Sequence, residues 1–413
     1  MRLTPGTPLQ IGMVRDERAP AEAIGRLAMA GGLAQLEWSD TVIAQGWQVD
    51  PLLYPPLPGL HGARGQAFGG LHGFLSDSLP DAWGHLLLRR RLARQGVVLA
   101  TLSPADRLAL VGRDGRGALV FEPAVPAEEL AGGIDLDALA AEAQAVLAGE
   151  ETDALDLLAR LGGASGGARP KVHVGLGTDG AVLPGGDGWI VKFRAPVDNP
   201  DSGSVEEAYA RMARLAGIAM AETRLLPSAD GPGHFATRRF DRPGAGSEGG
   251  VRVHMVSLAG ALEASSDMPS LDYDGFLRAT LAITRHAGDV AEAFRRMVFN
   301  VLAHNRDDHT RQHAFLQDEA GGWRLAPAYD LTCSAGPGGE HYLAVEGEGR
   351  AIRHAQVVAL GRRHGLAERS IASVIDEVRG ALAEWPRLSG ELGVRESAGE
   401  VEARLARVAV AFG

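Results

Sequence analysis

Residues 305–312 read Asn-Arg-Asp-Asp-His-Thr-Arg-Gln and put two adjacent acids and a histidine between an apolar helical stretch and the apolar run Ala314, Phe315, Leu316. Charged groups in such a setting are costly to bury unless they do chemistry. Eighteen residues after Gln312, Asp330 stands in a second apolar segment, Ala-Tyr-Asp-Leu. Phosphoryl transfer asks for such a set. It needs small residues or backbone amides near the phosphates, a lysine on a strand, a base for the hydroxyl proton and two metal-binding groups. Upstream lie a glycine-rich stretch (162–167), Lys192 in Trp-Ile-Val-Lys-Phe, and Glu206 and Glu207 in the first turn of a predicted helix.

The spacing sharpens this. Protein kinases place a metal-binding amide five residues after the catalytic aspartate. Asp307 and Gln312 have that interval, with glutamine as the amide, and Asp330 follows as a further acid. Glycine loop, lysine, glutamate, aspartate, amide, aspartate is the kinase order. Singly, each piece has an ordinary reading: a turn, a sheet-edge charge, first-turn acids, a cap. Six in order outweigh those readings.

Other chemistries fit less well. His309 and His313 are four apart and would share a helix face; with Asp307 or Asp330 they could hold a divalent ion. No His-Glu-x-x-His pattern is present, and His313 reads better as a packing residue. Ser165 lies in Ala-Ser-Gly-Gly, not in a nucleophile elbow. Cys333 is the one cysteine, so an internal disulfide and a cysteine-built zinc site are excluded.

The elements that must position these residues are legible in outline. The 51–58 stretch carries four prolines and reads as an extended connector. A helix is predicted over 81–95, capped by Asp81, with Trp83, Leu86, Leu87 and Leu92 on its apolar face. Its Arg89, Arg90, Arg91 and Arg94 read as a solvated helix end. A turn and strand are expected over 111–123 and a helical pair over 134–161. Strands follow at 171–175, 189–193, 225–227 and 236–242, with a helix at 205–216 between the second and third. From about 256 the pattern is mostly helical. The chain of 413 residues suits two or three packed units. We divide it at 1–155, 156–255 and 256–413. Its 45% hydrophobic and 23% charged residues exclude a wholly disordered chain, and 55 glycines without a period of three point to many loops rather than collagen. A net charge of −11 argues against coating nucleic acid by charge alone. The first ten residues lack an apolar signal core and no run approaches 18 apolar residues, so a soluble cytoplasmic protein without membrane contact is expected.

Across nearly its whole length the sequence resembles the HipA-type kinase toxins of bacterial type II toxin–antitoxin systems. The likeness is carried by DSLPDAWG (77–84), LVGRDGRGAL (110–119), GGASGGARPK (162–171), WIVKF (189–193), RRFDR (238–242), NRDDHTRQHAFL (305–316) and WRLAPAYDL (323–331). The resemblance implies an α+β protein with a eukaryotic-protein-kinase-like bilobal fold: a strand-rich ATP lobe, a helical C-terminal lobe and an N-terminal α/β subdomain. It implies an ATP- and Mg²⁺-dependent serine/threonine protein kinase. Its substrates would be translation components such as an aminoacyl-tRNA synthetase. A helix-turn-helix antitoxin of the HipB type would bind it and carry it to operator DNA.

Carried over by motif, Asp307 is the catalytic base, and Asp330 and Gln312 are the metal ligands. The phosphate loop spans Ala164, Ser165, Gly166, Gly167, Ala168, Arg169 and Lys171. Lys192 contacts the α- and β-phosphates. Arg238, Arg239 and Phe240 form the hinge strand beside adenine, and His309 and Tyr329 line the nucleotide pocket. Two departures stand out. Gln312 replaces the family's usual asparagine. The autophosphorylated loop serine falls at Ala164, leaving Ser165 as the shifted candidate. A pseudokinase acting as co-repressor is the first alternative implied, and a metal-dependent phosphohydrolase the second.

Overall fold

The computed structural model describes residues 4–124, 133–162, 166–177, 180–183, 186, 188–243 and 250–413. Thirteen strands are described, in three antiparallel sheets. The first sheet is built from β1 (Leu9–Met13), β2 (Glu22–Ala30), β3 (Leu33–Trp38), β4 (Leu60–Gly62) and β5 (Leu119–Glu122), in the order β4-β3-β2-β1-β5. The proline-rich connector carries no regular structure between β3 and β4. The predicted 81–95 helix runs Ala82–Arg94 and buries Trp83, Leu87 and Leu92. Its arginines pair at the surface with the segment 150–156: Arg90 with the Glu150 carbonyl, Arg94 with Glu151, Arg91 with Asp156.

The second sheet holds β6 (Lys171–Leu176), β7 (Val182–Leu183), β8 (Trp189–Lys192), β9 (Thr223–Leu226) and β10 (His234–Arg238), in the order β7-β6-β8-β10-β9. The Ser202–Leu215 helix lies between β8 and β9 in sequence. Val172, Val174, Trp189 and Val191 form one buried cluster with Trp83, Leu87, Leu139 and Leu158. Alternating side chains from the sheet thus meet helices from far upstream.

The strand expected over 236–242 stops at Arg238. The reason is an ion cluster. Asp241 is buried between Arg239 (Nη2 to Oδ2, 2.9 Å) and Arg242 (Nη1 to Oδ2, 2.9 Å), and it accepts from the Gly117 amide at 2.8 Å. Arg242 in turn donates to the carbonyls of Gly115 and Gly117. The chain leaves the sheet to meet the 115–117 turn.

The region after 256 contains the expected helices, among them Tyr273–Thr284, Ala287–Leu302, Glu368–Leu382 and Ala398–Phe412. It also contains a small sheet, β11 (His254–Ser257), β12 (Ala314–Gln317) and β13 (Trp323–Leu325), which the helical reading missed. Runs of three or four residues are too short to show a period. β11 is tied to the first region by Asp77, which accepts from the Ser257 amide and hydroxyl, both at 2.6 Å and both buried. One continuous hydrophobic core joins β1–β3 to the Ala287–Leu302 and Glu368–Leu382 helices. Among the described residues no helix is long and apolar enough to cross a membrane.

Candidate active site

Lys192 ends β8 and points at the Ser202–Leu215 helix, which starts earlier than expected, so that Glu206 and Glu207 fall beyond its first turn. Its Nζ donates both to Glu206 Oε1 and to Asp330 Oδ1. Three remote segments thus converge on one buried ammonium. Burial alone would lower the lysine, but Asp330 and Glu206 hold its pKa above the ordinary value. Asp330 shows the converse. Burial would raise it, yet Lys192 and Lys171 bring it well below the usual carboxylate range. Glu206, more deeply enclosed, is raised by burial against the pull of Lys192. The ammonium and the Asp330 carboxylate are therefore both charged. Glu207, next in sequence, is spent on Arg211 at 2.8 Å.

Asp330 has φ +57°, a region that aspartate tolerates better than most residues. Strain of this kind persists where the surroundings over-determine it, and here Lys192 and Gln312 do so. Gln312 lies in a single 3₁₀ turn, Thr310–Gln312, and its Nε2 donates to Asp330 Oδ2 at 2.8 Å. The pair offers a carboxylate and an amide. Magnesium takes such hard oxygen donors from one or two protein groups and completes its shell with substrate phosphates and water. The donor set fits that use. Among the described residues no group of three or more His, Cys, Asp or Glu side chains could hold a metal without such help.

Asp307 and Asp308 part company. Asp307 is half-exposed, with His309 Nε2 3.8 Å from its Oδ1. Burial, with Asp330 and Asp308 adding, raises its carboxyl against the pull of His309. A raised carboxylate is a better proton acceptor near neutral pH. Asp308 is fully buried. Tyr273 donates to it at 2.7 Å, His341 Nδ1 lies 2.8 Å away, and the Tyr342 amide donates at 2.8 Å. Asn300 extends the network to Tyr273 and Asn305. Asp308 therefore anchors the loop that presents Asp307. Removing one member of a buried charged network costs about 3–5 kcal/mol. We expect Asp308→Ala to lower the unfolding free energy read from a urea titration by that much, and so its midpoint, and Asp307→Ala to leave both nearly unchanged. Equal midpoints for the two variants would contradict the assignment of anchor and free acid.

His313 does not join a metal site with His309. It is buried, stacked on Phe276 with ring centroids 4.0 Å apart, and neither ring nitrogen has a hydrogen-bond partner. Burial pushes its pKa down to about 3. It is a neutral packing residue.

The glycine-rich loop is described from Gly166 onward. Ala164 and Ser165 lie outside the described residues. Gly167 has φ +86°, and a Cβ there would stand 2.7 Å from Lys171 Nζ. A Cβ on Gly166 would lie 1.7 Å from Arg116 Nη2. At Gly167 the positive φ itself disfavours another residue, whereas at Gly166 the Arg116 side chain would have to move. Lys171 Nζ donates to the Gly166 carbonyl, closing the loop on its own lysine. Lys171 is the register partner of Lys192 across β6 and β8. Burial first, and then that neighbouring cation, push its pKa down to about 8. Arg169, two residues earlier, forks onto Asp198 with two bonds of 2.9 Å.

The expected hinge strand is less open. Arg238 reaches Glu222 at 3.3 Å and Arg239 is taken by Asp241. Their side chains are engaged, and so are their amides, which donate to the carbonyls of Glu222 and Gly188 at 2.8 Å, so what this segment offers a ligand is the Phe240 ring. The Phe240 ring lies 5.5 Å from that of Tyr329, whose hydroxyl donates to the Arg311 carbonyl at 2.6 Å. A cavity of about 560 Å³ opens on the other side of the lysine, between the sheet, the Ser202–Leu215 helix and the C-terminal helix. Arg169, Lys192, Glu206 and Asp330 line it, whereas Asp307, His309, Gln312, Phe240 and Tyr329 do not.

Contacts from the first region complete the site, and motif reading did not find them. Asp81 does not cap its helix. Its Oδ2 instead receives Arg311 Nη1 at 3.1 Å, one residue from Gln312. The Trp83 amide donates to the Gly167 carbonyl at 3.2 Å, and its indole Nε1 to the Lys171 carbonyl at 3.0 Å. The Ala82–Arg94 helix thus grips both the glycine loop and the loop of Asp307.

Residues 163–385, more than half of the chain, match the family described as HipA-like C-terminal domain, and residues 19–122 match the HipA N-terminal domain. Over 163 residues the chain is 31% identical to "Putative kinase Y4dM" of Sinorhizobium fredii; the match takes in 35% of this chain and 37% of that protein, little more than a third of its length. Among solved structures it is similar to a chain of the Shewanella oneidensis MR-1 toxin–antitoxin complex of HipA, HipB and operator DNA. The TM-score is 0.68 at 18% identity, over 97% of this chain and 95% of that one. At that identity the likeness shows a shared fold.

Proposed function

The chain belongs to the HipA family, and from that membership we propose that it is an ATP- and Mg²⁺-dependent serine/threonine protein kinase, the toxin of a type II toxin–antitoxin pair. One observation carries the reading: Lys192 joins Glu206 of the helix to Asp330 of the metal pair. A lysine so held is positioned to meet phosphate oxygens, as kinases require. In this reading 156–255 is the ATP lobe, 256–413 the catalytic lobe and 1–155 the region that braces both.

Asp307 takes the proton from the substrate hydroxyl. Gly166, Gly167, Ala168, Arg169 and Lys171 surround the phosphates, with Ala164 and Ser165 completing the loop and Ser165 the site of its autophosphorylation. Lys171 must leave the Gly166 carbonyl to do so. Phe240 and Tyr329 take the adenine beside the strand end at Arg238 and Arg239, and His309 closes the pocket near Asp307. Magnesium, held by Asp330 and Gln312, supplies charge neutralisation at the phosphates when bound. The partner is a HipB-type helix-turn-helix protein, through which a chain of net charge −11 would reach operator DNA. The protein substrate is a translation component such as an aminoacyl-tRNA synthetase, in the cytoplasm. Gln312 in place of asparagine favours one second reading, a nucleotide-binding pseudokinase that acts as co-repressor.

The test is incubation with γ-labelled ATP, Mg²⁺ and cell lysate, followed by phosphoamino-acid analysis. Label on serine or threonine of a lysate protein is the expected result. ATP binding without any transfer would replace the kinase with the pseudokinase, and no ATP binding would defeat both.

A further inference from the structure

A second cavity, of about 300 Å³, lies away from Lys192, against the loop that carries Asp307. Its polar lining holds three arginines and two histidines, Arg306, Arg350, Arg407, His304 and His341, and no carboxylate. Arg350 is neutralised by Glu340 at 3.1 Å. Arg306 has only carbonyl oxygens for partners, those of Gly339 and Arg350, and its Nε is buried with none. Arg407, on the C-terminal helix, makes no hydrogen bond or ion pair among the described residues.

His304 adds a polar nitrogen without a partner. It sits at φ +54° with Nδ1 buried and unpartnered. Burial, with Arg306 and Arg404 adding, pushes its pKa down to about 4. Burial, then Arg350, lower Arg306 as well. Cations gathered in a half-buried pocket repel one another until an anion arrives. Guanidinium groups suit phosphate, because their fork of donors matches its oxygens. The volume is at the lower end of the range for small-molecule sites.

We infer that this cavity binds a small free anion bearing a phosphate group, at a site separate from the Lys192 centre. His341 forms part of its wall and holds Asp308 through Nδ1. The occupant therefore touches a residue that holds Asp308, the anchor of the Asp307 loop. The site does not rest on the kinase reading, because none of its residues belongs to the Lys192 centre.

The test uses the full chain, treated with phosphatase, in saturating non-hydrolysable ATP analogue so that the first centre is filled. Inorganic phosphate is titrated and followed by ³¹P line broadening. One saturable site is expected in the native chain and in Lys192→Ala. Its affinity should fall at least tenfold in Arg407→Glu, a charge reversal at an exposed helix position, and by a smaller factor in Arg407→Ala. No saturable binding in the native chain, or equal affinity in Arg407→Glu, would overturn the proposal. Failure of the kinase reading would show instead as an absence of ATP-analogue binding or label transfer. The Lys192→Ala titration would be untouched by it.

Discussion

Asp307→Ala should lose phosphate transfer by about 10² to 10⁴ in rate, the usual loss on removing a general base, while still binding ATP. The structure separates the two properties. Lys192 keeps Glu206 and Asp330 without Asp307, and Lys171 stays on its loop. The Phe240 and Tyr329 rings do not depend on it either. Fold is conserved too, because Asp307 makes no bond that holds the loop; that task falls to Asp308. The measurement is single-turnover transfer from labelled ATP beside a nucleotide-binding titration on the same protein. Asp307→Asn should match Asp307→Ala, since an amide keeps the shape but accepts no proton at neutral pH. Native transfer rates in either variant would remove Asp307 from the mechanism. Lost binding with lost transfer would mean that it holds the nucleotide.

Asp330→Ala should abolish both transfer and the metal dependence of nucleotide binding. Asp330 is the single ionised carboxylate between Lys192 and Gln312, and its low pKa keeps it charged over the whole neutral range. A magnesium site held by one protein carboxylate does not survive its removal. Gln312→Ala should cost less, because it deletes a neutral donor. Gln312→Asn is the informative variant. Its stem is shorter by one methylene, roughly 1.5 Å of reach, and the 2.8 Å bond to Asp330 uses the full glutamine. We expect the asparagine variant to fall nearer to Gln312→Ala than to the native chain in a magnesium titration of activity. Activity equal to or above native would mean that the contact of Gln312 with Asp330 is dispensable and that a shorter amide serves the metal as well. Retained activity in Asp330→Ala would move the metal site elsewhere.

Much of this site could be read from residues in order. Lys192 announces itself as a charge on an apolar strand, Glu206 as an acid near the start of a helix, and Asp307 and Asp330 as acids among apolar neighbours. Each signal is local, carried by alternation, capping or spacing, and the helices and strands around them fall within a few residues of their periodic patterns. The resemblance to HipA rests on the same local words, and the family matches agree with it.

Pairings between remote charges were not legible. Asp81 looked like a cap, and it meets Arg311 across 230 positions instead. Arg239 looked like part of a straight strand, and the turn toward Gly117 ends it. Asp307 and Asp308 are neighbours of one type, yet one is half-exposed and the other is sealed under Tyr273 and His341. Nothing local distinguishes them, because a carboxylate's role depends on what burial removes and which cation or donor replaces the water. Hydrophobic packing of remote segments sets those surroundings, and packing acts through contact in space, to which spacing along the chain is blind. The order of the chemical groups is thus written in the chain, while the choice of which acid reacts and which one holds the loop is made by the folded interior.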